Sequence, residues 1–460
     1  MRLKNVNKLA KSKIRRYKRR TLLMIIPMSL FFGVIMALLL VLSSLKATAF
    51  READRANPIS YVSANVKEDE FYDFKRDVML SGGEVLQGKS GIANTEGTII
   101  TRNHAYKDIY DGANNLDIYP DGVVDEYVIE EYSDDQVPIL ITIGAASELM
   151  NMKLDIKSTA SFLDTYKKAI GYAFSLDICR QAYDENGIPI DLDDANGIEC
   201  FDSINYKIVG IIPDYKARRG DPPENFFDSI LNGIGGGGDV RSFVLAGKTT
   251  EFIDKYGDYG SNGLNGYGTL IAKFSDYSNL VKLYNISDCE KNVNCRNYHI
   301  QEYFGNRLSI DAVFNGLRTL FTGAIITLII IAMIAFATNI TKIIDDEATL
   351  INLYKLVGAS SGDIASVYFC YVAKVVLYTI ISSIVLSLVI ATVLFVLGNN
   401  TLLTGFSYMY SSSASPELVT SIKYAIDWNY FYVLVSIVLA GLVGYLCSVK
   451  KLRNMSITTS

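Results

Sequence analysis

The chain has 460 residues, half of them apolar, with positive mean hydropathy and 44 basic against 49 acidic side chains. The apolar residues are bunched into long runs, which excludes a single soluble globular domain of ordinary size. The near-neutral total also hides an asymmetry. Residues 1–20 hold ten basic side chains and no acid, whereas residues 46–317 hold 26 basic and 43 acidic ones, a balance of −17 that excludes this region as a partner for nucleic acid or anionic lipid.

In chain order, a basic tail (1–21) leads into a first apolar run at 22–45. About 20 residues of helix cross a hydrocarbon core, so this run predicts transmembrane helix 1. Ala47-Thr48-Ala49 resembles a signal cleavage site, but the apolar stretch exceeds the roughly 7 to 15 residues of a signal peptide, and an uncleaved anchor is expected. Pro27 is the only proline inside an apolar run, placed where it predicts a modest bend.

Residues 46–317 read as a mixed α+β domain. Strands are predicted at 137–143, 206–212, 242–246 and 269–274, with helices at 145–152 and 276–284; Gly233 and Gly235 to Gly238 break the pattern as a loop. Residues 298–317 have helical spacing and are expected to form a stalk running into the second apolar run. Gly247-Lys248-Thr249 ends like a phosphate-binding loop, but Ser242 stands where the loop needs its first glycine, so it is rejected as a nucleotide site. Only His104 and His299 exist, with no nucleophile elbow or paired metal-ligating histidines, and no active site is expected. Asp184, Glu185, Asp191, Asp193 and Asp194 miss the EF-hand register, because Ala195 and Asn196 occupy the ligand and turn-glycine positions, and read as a solvated loop. Cys179, Cys200, Cys289 and Cys295 also fall here. They allow three pairings, of which Cys179 with Cys200 and Cys289 with Cys295 is the most local, and free buried thiols are the alternative.

Transmembrane helix 2 is predicted at 320–338, helix 3 at 367–397 and helix 4 at 429–448, with a loop at 398–428 and a tail at 449–460. Basic flanks on the first and last runs put both termini in the cytoplasm and residues 46–317 outside. Lys374 lies near the expected cytoplasmic end of helix 3, where it can snorkel, and Ala440 with Gly444 forms a small-xxx-small pair suited to close helix packing. Between helices 2 and 3, residues 341–363 are amphipathic in their centre. Ile343, Ile344, Leu350, Ile351, Leu353 and Tyr354 supply the apolar face, Asp345, Asp346 and Glu347 a helix start, Lys355 its end, Gly358 a stop and Asp363 the next start. Such a helix can dock in a partner's groove or lie on the inner membrane face.

Lys355-Leu356-Val357-Gly358-Ala359-Ser360, followed by Asp363-Ile364, resembles the Lys-Ala-Leu-Gly-Ala-Ser motif of the FtsX-like ABC transporter permeases, the family of macrolide exporters, lipoprotein-releasing permeases and the cell-division permease. Val137-Pro138-Ile139-Leu140-Ile141, Tyr206-Lys207-Ile208-Val209-Gly210-Ile211-Ile212 and the closing Lys451-Leu452-Arg453-Asn454-Met455-Ser456 are similar to other segments of that family, while Leu350 and Asn352 depart from its usual Glu and Gly. The resemblance implies a four-helix membrane bundle with an extracytoplasmic α+β domain inserted between helices 1 and 2. It implies a non-catalytic subunit of the cell membrane, with no cofactor of its own. ATP would be held by a cytoplasmic ABC ATPase partner, and a second permease copy would complete the assembly within the lipid bilayer. Glu347, Leu350, Leu353, Tyr354, Lys355, Gly358 and Ala359 are then the residues expected to couple to the ATPase. A membrane-anchored receptor or scaffold with an acidic binding domain is the alternative.

Overall fold

The computed structural model describes residues 3–57, 59–86, 100–102, 116–117, 124–152, 159–188, 190, 197–213, 243–248, 251, 267–287, 296, 298, 300–303, 307–413 and 418–454. The chain begins with helices α1 (Leu3–Arg16) and α2 (Lys18–Ala56), then β1 (Ser60–Lys67), α3 (Phe71–Leu80), β2 (Glu84–Val85), β3 (Ile100–Arg102) and β4 (Leu116–Asp117). Next come β5 (Val137–Thr142), α4 (Ile143–Leu149), α5 (Thr159–Ala169), β6 (Ala173–Gln181), β7 (Ile198–Ile212), β8 (Phe243–Leu245) and β9 (Tyr267–Phe274). The rest is α6 (Tyr277–Ser287), β10 (Gln301–Tyr303), α7 (Arg307–Asp346), α8 (Ala348–Leu356), α9 (Ser361–Tyr410) and α10 (Trp428–Asn454).

Four helices are long and apolar enough to cross a membrane, at Lys18–Ala56, Val313–Asp346, Ser361–Ser407 and Trp428–Cys447. The chain divides into two units, the first being Met1–Thr48, Phe314–Gly398 and Ile422–Ser460 and the second Ala49–Val313 with Asn399–Ser421. Helices α2, α7 and α9 contribute residues to both. At 1.5 Å per residue, the 40 residues of α7 and the 50 of α9 measure about 60 and 75 Å, well beyond a hydrocarbon core of about 30 Å.

In the first unit, small and hydroxylated residues let helices approach closely. Gly33 of α2 faces Leu386 of α9, where an added Cβ would lie 2.9 Å from Leu386 Cδ2. Gly444 of α10, read from the sequence as half of a small-residue pair, lies against α7, where an added Cβ would be 3.0 Å from Phe336 Cβ. Ser387 and Tyr430 share a buried hydrogen bond of 2.8 Å between α9 and α10. Other hydroxyls turn back on their own backbone, as Thr379 does to Val375 O at 3.0 Å, which satisfies the hydroxyl without water.

The second unit holds two sheets. One is antiparallel in the order β10-β1-β9-β2 and the other is mixed in the order β3-β6-β7-β5-β8-β4. Burial along β7 alternates from Ser203 to Ile208 and is then continuous through Ile212. The change follows from what covers the strand. Ile204, Tyr206, Ile208 and Ile211 enter a core with Phe162 and Tyr166 of α5, while Val209 and Ile212 enter a second core with Tyr61 of β1 and Ile271 of β9, so both faces of its end are covered. A third core sets Val62, Ala64 and Val66 of β1 against Phe74, Val78, Leu280 and Leu283 of α3 and α6.

Two expected boundaries are corrected. Residues 298–317 do not start as a helix: Gln301–Tyr303 pairs with β1, Tyr61 opposite Tyr303, and the helix begins at Arg307. The open edge of β1 overrides the helical spacing, and Glu302 accepts the Leu308 backbone N–H at 2.9 Å to start the helix. The loop expected from 398 is helical to Tyr410, because Leu402, Phe406, Met409 and Tyr410 recur at helical spacing and are all buried.

In this unit the ends of α2, α7 and α9 are tied to the sheets. Arg307, at the start of α7, is 3 % exposed and donates to Glu302 Oε1 at 3.0 Å, to Asp54 Oδ1 of α2 at 2.7 Å and to Ser60 Oγ of β1, with its guanidinium over the Tyr277 ring. Tyr127 donates to Ala56 O and Asn57 Oδ1 at the end of α2, and Ser413 just past α9 exchanges hydrogen bonds with both backbone groups of Ile211 in β7, at 2.6 and 2.8 Å. Burial pushes the Glu302 carboxyl above its ordinary value of 4.5, with Arg307 opposing. Burial works against the Arg307 charge too, but Glu302 and Asp54 outweigh it and hold the guanidinium above its usual range.

Arg307→Met is expected to lower the stability of the full-length protein by about 3 to 5 kcal/mol at pH 7, since it strands Glu302 buried and unpaired. With the Glu302 pKa raised further, the folded state binds the proton more tightly than the unfolded state does, so stability falls as pH rises above about 4.5. The deficit should therefore shrink as pH is lowered toward 5, as thermal unfolding at several pH values would measure; a pH-independent deficit would refute this account.

Candidate functional site: the short helix against the amino-terminal helix

The segment between α7 and α9 is built by local signals at both ends of α8. Glu347 is its N-cap residue, yet the side chain makes no capping hydrogen bond. At the other end, Ala359 N–H reaches Tyr354 O at 2.9 Å and Gly358 N–H reaches Lys355 O at 3.0 Å, with Gly358 at φ +93. This is a Schellman ending, and the left-handed backbone requires the glycine. The next helix opens on a capping box. Ser360 Oγ accepts from Asp363 N–H at 3.1 Å while Asp363 Oδ2 accepts from Ser360 N–H at 3.3 Å.

The Glu347 carboxylate is spent elsewhere. It is buried, 2 % exposed at the side chain, and its Oε2 accepts from the Lys13 ammonium of α1 and from the Tyr368 hydroxyl of α9 at 2.6 Å. Lys13 Nζ also sits 3.8 Å from the centre of the Tyr368 ring. Burial lowers the Lys13 pKa, with Glu347 opposing, and burial raises that of the Tyr17 phenol, with the Glu347 charge adding to it. Around this centre Arg20 pairs with Asp346, Thr21 bonds Tyr371 at 3.0 Å, and Lys374 Nζ donates to Asn7 O at 3.4 Å. The Arg20 pair is 42 and 37 % exposed and contributes at most about 1 kcal/mol; the buried Lys13–Glu347 pair decides whether α1 stays in place.

The expected coupling residues are thereby sorted. Glu347, Leu350, Tyr354 and Ala359 line a cavity of about 120 Å3, together with Lys13 and Arg16 of α1. Leu353 points away and is 55 % exposed, in company with Leu356 at 67 % and Val357 at 82 %. Lys355 donates to Leu452 O of α10 at 3.5 Å. The basic tail is thus a helix packed on this segment. Lys13 and Tyr368 carry no motif that marks them, although one signal exists: Val6, Ala10, Lys13, Tyr17 and Thr21 repeat every three or four residues, so a cation falls on a buried stripe.

Asp184 accepts from the Asn186 and Ile188 N–H groups at 2.9 and 2.8 Å, which closes a turn and holds its carboxyl below the usual range. Lys248 adopts φ +56 and donates to Asp134 O, and Thr249 lies outside the described residues. Asp191, Asp193, Asp194, His104, His299, Cys289, Cys295 and the glycines from 233 to 238 also lie outside them. Among the described residues no group of three side chains is arranged to hold a metal. Cys179 and Cys200 are directly opposite in the β6–β7 register, while Cys370 and Cys447 are free thiols. No protein-family model matches this chain, and no curated protein sequence matches it.

Glu347→Gln and Lys13→Met each leave a buried partner uncompensated, so each is expected to raise the rate of tryptic cleavage after Lys8 and Lys11 about ten-fold or more in the membrane-embedded protein. The double variant should cleave more slowly than the product of the two effects. Unchanged cleavage in both single variants would show that the pair does not hold α1.

Proposed function

We propose that this chain is the membrane-spanning, non-catalytic subunit of an FtsX-like ABC transporter. It lies in the cell membrane with both termini cytoplasmic and its second unit outside, and a separate cytoplasmic ATPase binds ATP and docks on residues 341–363. The observation that carries the reading is α8. It is a nine-residue helix held between two membrane-length helices, locked at Glu347 and ended by Gly358, and it presents Leu353, Leu356 and Val357 to the surroundings. A short, rigid helix with an apolar edge is the geometry by which a groove on a partner is engaged. The long helices support the second half of the proposal. Because α2, α7 and α9 run on past membrane length and their far ends are bonded into β-sheets, a displacement of their near ends is delivered to a folded domain. The resemblance of residues 355–364 to the family motif agrees with this. A second permease copy completes the assembly, and the work done is extraction, export or signalling at the outer face.

Affinity purification of the tagged full chain from its native membrane should recover a cytoplasmic ATPase. Leu353→Glu with Val357→Glu should cut that recovery about ten-fold while leaving the thermal unfolding temperature unchanged, since both positions are exposed. Intact complexes that never contain an ATPase would refute the proposal.

A further inference from the structure

We infer that Cys179 and Cys200 are joined by an intramolecular disulfide across β6 and β7. The inference rests on the reading above in one respect, that the second unit lies outside the cytoplasm, where disulfides persist. The choice of partners rests on backbone register alone. Four cysteines in this region allow three pairings, and the strands select among them.

Ala173 stands opposite Lys207 and Ile178 opposite Asp202; the register then shifts, so that Cys179 faces Cys200, Arg180 faces Glu199 and Gln181 faces Ile198. The shift leaves Phe201 as the extra residue of a β-bulge in β7. Without it Cys179 would face Phe201. Antiparallel pairs alternate between hydrogen-bonded and non-hydrogen-bonded, and the class of the cysteine pair can be counted from either end. At the outer end Ala182 N–H donates to Gly197 O at 2.9 Å, which makes that pair hydrogen-bonded and the cysteine pair, three steps inward, non-hydrogen-bonded. At the inner end Ile208 N–H donates to Tyr172 O at 3.0 Å, so Ile178 with Asp202, six steps outward, is hydrogen-bonded and the next pair is again non-hydrogen-bonded. The two counts agree. In that class the Cα atoms are about 4.5 Å apart and the side chains stand closer, within the roughly 4.4 to 6.8 Å that a disulfide spans. Ser175 and Asn205, a pair of the same class, already join these strands side chain to side chain at 2.6 Å. Along β6, Phe174 belongs to the face packed on Phe162 and Tyr166, while Ala173 and Ser175 are exposed. Cys179 is in step with Ala173 and Ser175, which places the pair on the open face of the sheet, within reach of an oxidant.

The oxidant is a disulfide of the outer compartment, carried by a protein or a small thiol. One cysteine thiolate attacks it and expels one of its thiols, leaving a mixed disulfide; the second cysteine thiolate attacks the mixed disulfide and expels the other. Both protons go to the expelled thiolates and both electrons to the oxidant, so two thiols and a disulfide become a disulfide and two thiols. The bond clamps the far end of the hairpin, beyond the bulge.

The test alkylates the full chain in its native membrane with N-ethylmaleimide, then digests it with trypsin without reduction. Cleavage at Arg180 puts the two cysteines on separate peptides, 169–180 and 181–207. Mass spectrometry should find these joined in about nine copies of ten, and parted by reduction. Cys179→Ser should raise alkylation of Cys200 about ten-fold. Glu199→Cys combined with Cys200→Ser moves the thiol to the other face of β7 and should give no bond to Cys179. Peptides that stay alkylated and unjoined even when the protein is first treated with oxidised glutathione, Cys179 joined to Cys289 or Cys295, or an equal yield of bond from the Glu199→Cys protein would each overturn the inference. A membrane-impermeant maleimide applied to cells making Cys179→Ser reports the compartment. Joining that needs added glutathione overturns the inference if this reagent reaches Cys200 on intact cells. If the reagent reaches Cys200 only in permeabilised cells, the register argument stands and the outside placement falls, and the functional reading with it.

Discussion

Taking a full charge out of water costs several kcal/mol even after relaxation, and this chain does so in both of its units. Glu347 is buried in the first and Arg307 in the second, each at 2 or 3 % exposure. Neither is tolerable alone. Glu347 is balanced by Lys13 with Tyr368 as a second donor, and Arg307 by Glu302 and Asp54 with Ser60 as a further acceptor. Such groups confer less net stability than apolar packing of the same volume, but they are exacting about geometry, because moving one partner exposes the full desolvation penalty of the other. What they contribute is position. In the first unit the charge places α1 on α8 and α9; in the second it places the start of α7 beside the end of α2.

The two centres fit the function proposed. A subunit that passes a stroke along its helices needs the receiving segment to be stiff and the delivering ends to be attached. Stiffness comes from the Schellman ending at Gly358, the capping box at Ser360 and Asp363, and the locked N-cap residue Glu347. Attachment comes from Arg307, from Tyr127 at the last residue of α2, and from Ser413 on β7. The helices themselves need little else. In hydrocarbon every backbone group is bonded within its own helix, and hydroxyls such as Thr379 bond back to the preceding turn, so a long helix moves as one piece.

The amino-terminal helix changes what a partner would meet. Ten basic residues before the first apolar run read as orientation signals and nothing more. With α1 folded on this segment, Lys8, Lys11 and Arg15 stay exposed, while Asp346 and Glu347, two of the acids of residues 341–363, are engaged in ion pairs. The surface there is apolar at Leu353 and Val357, with exposed cations on α1.

Much of this was legible without coordinates. Twenty apolar residues in a row admit one solution in a membrane-like solvent, so the four long helices were determined by the sequence alone, as were strands such as β5 and β9, which are rich in β-branched and apolar residues. The ending of α8 at Gly358 and the opening of α9 near Asp363 were equally local, because caps are satisfied within a few residues. What only the tertiary structure decided depends on groups far apart in the chain. Residues 298–303 carry helical spacing, yet the free edge of β1, more than 230 residues earlier, makes three of them a strand. Glu347 looks like a helix-starting acid until Lys13, 334 residues away, takes its charge. Arg307 is one cation among 44 until Asp54 and Glu302 surround it. Periodicity and capping report what a segment does for itself. The pairing of buried charges is settled by which segments meet, and that is a property of the folded chain.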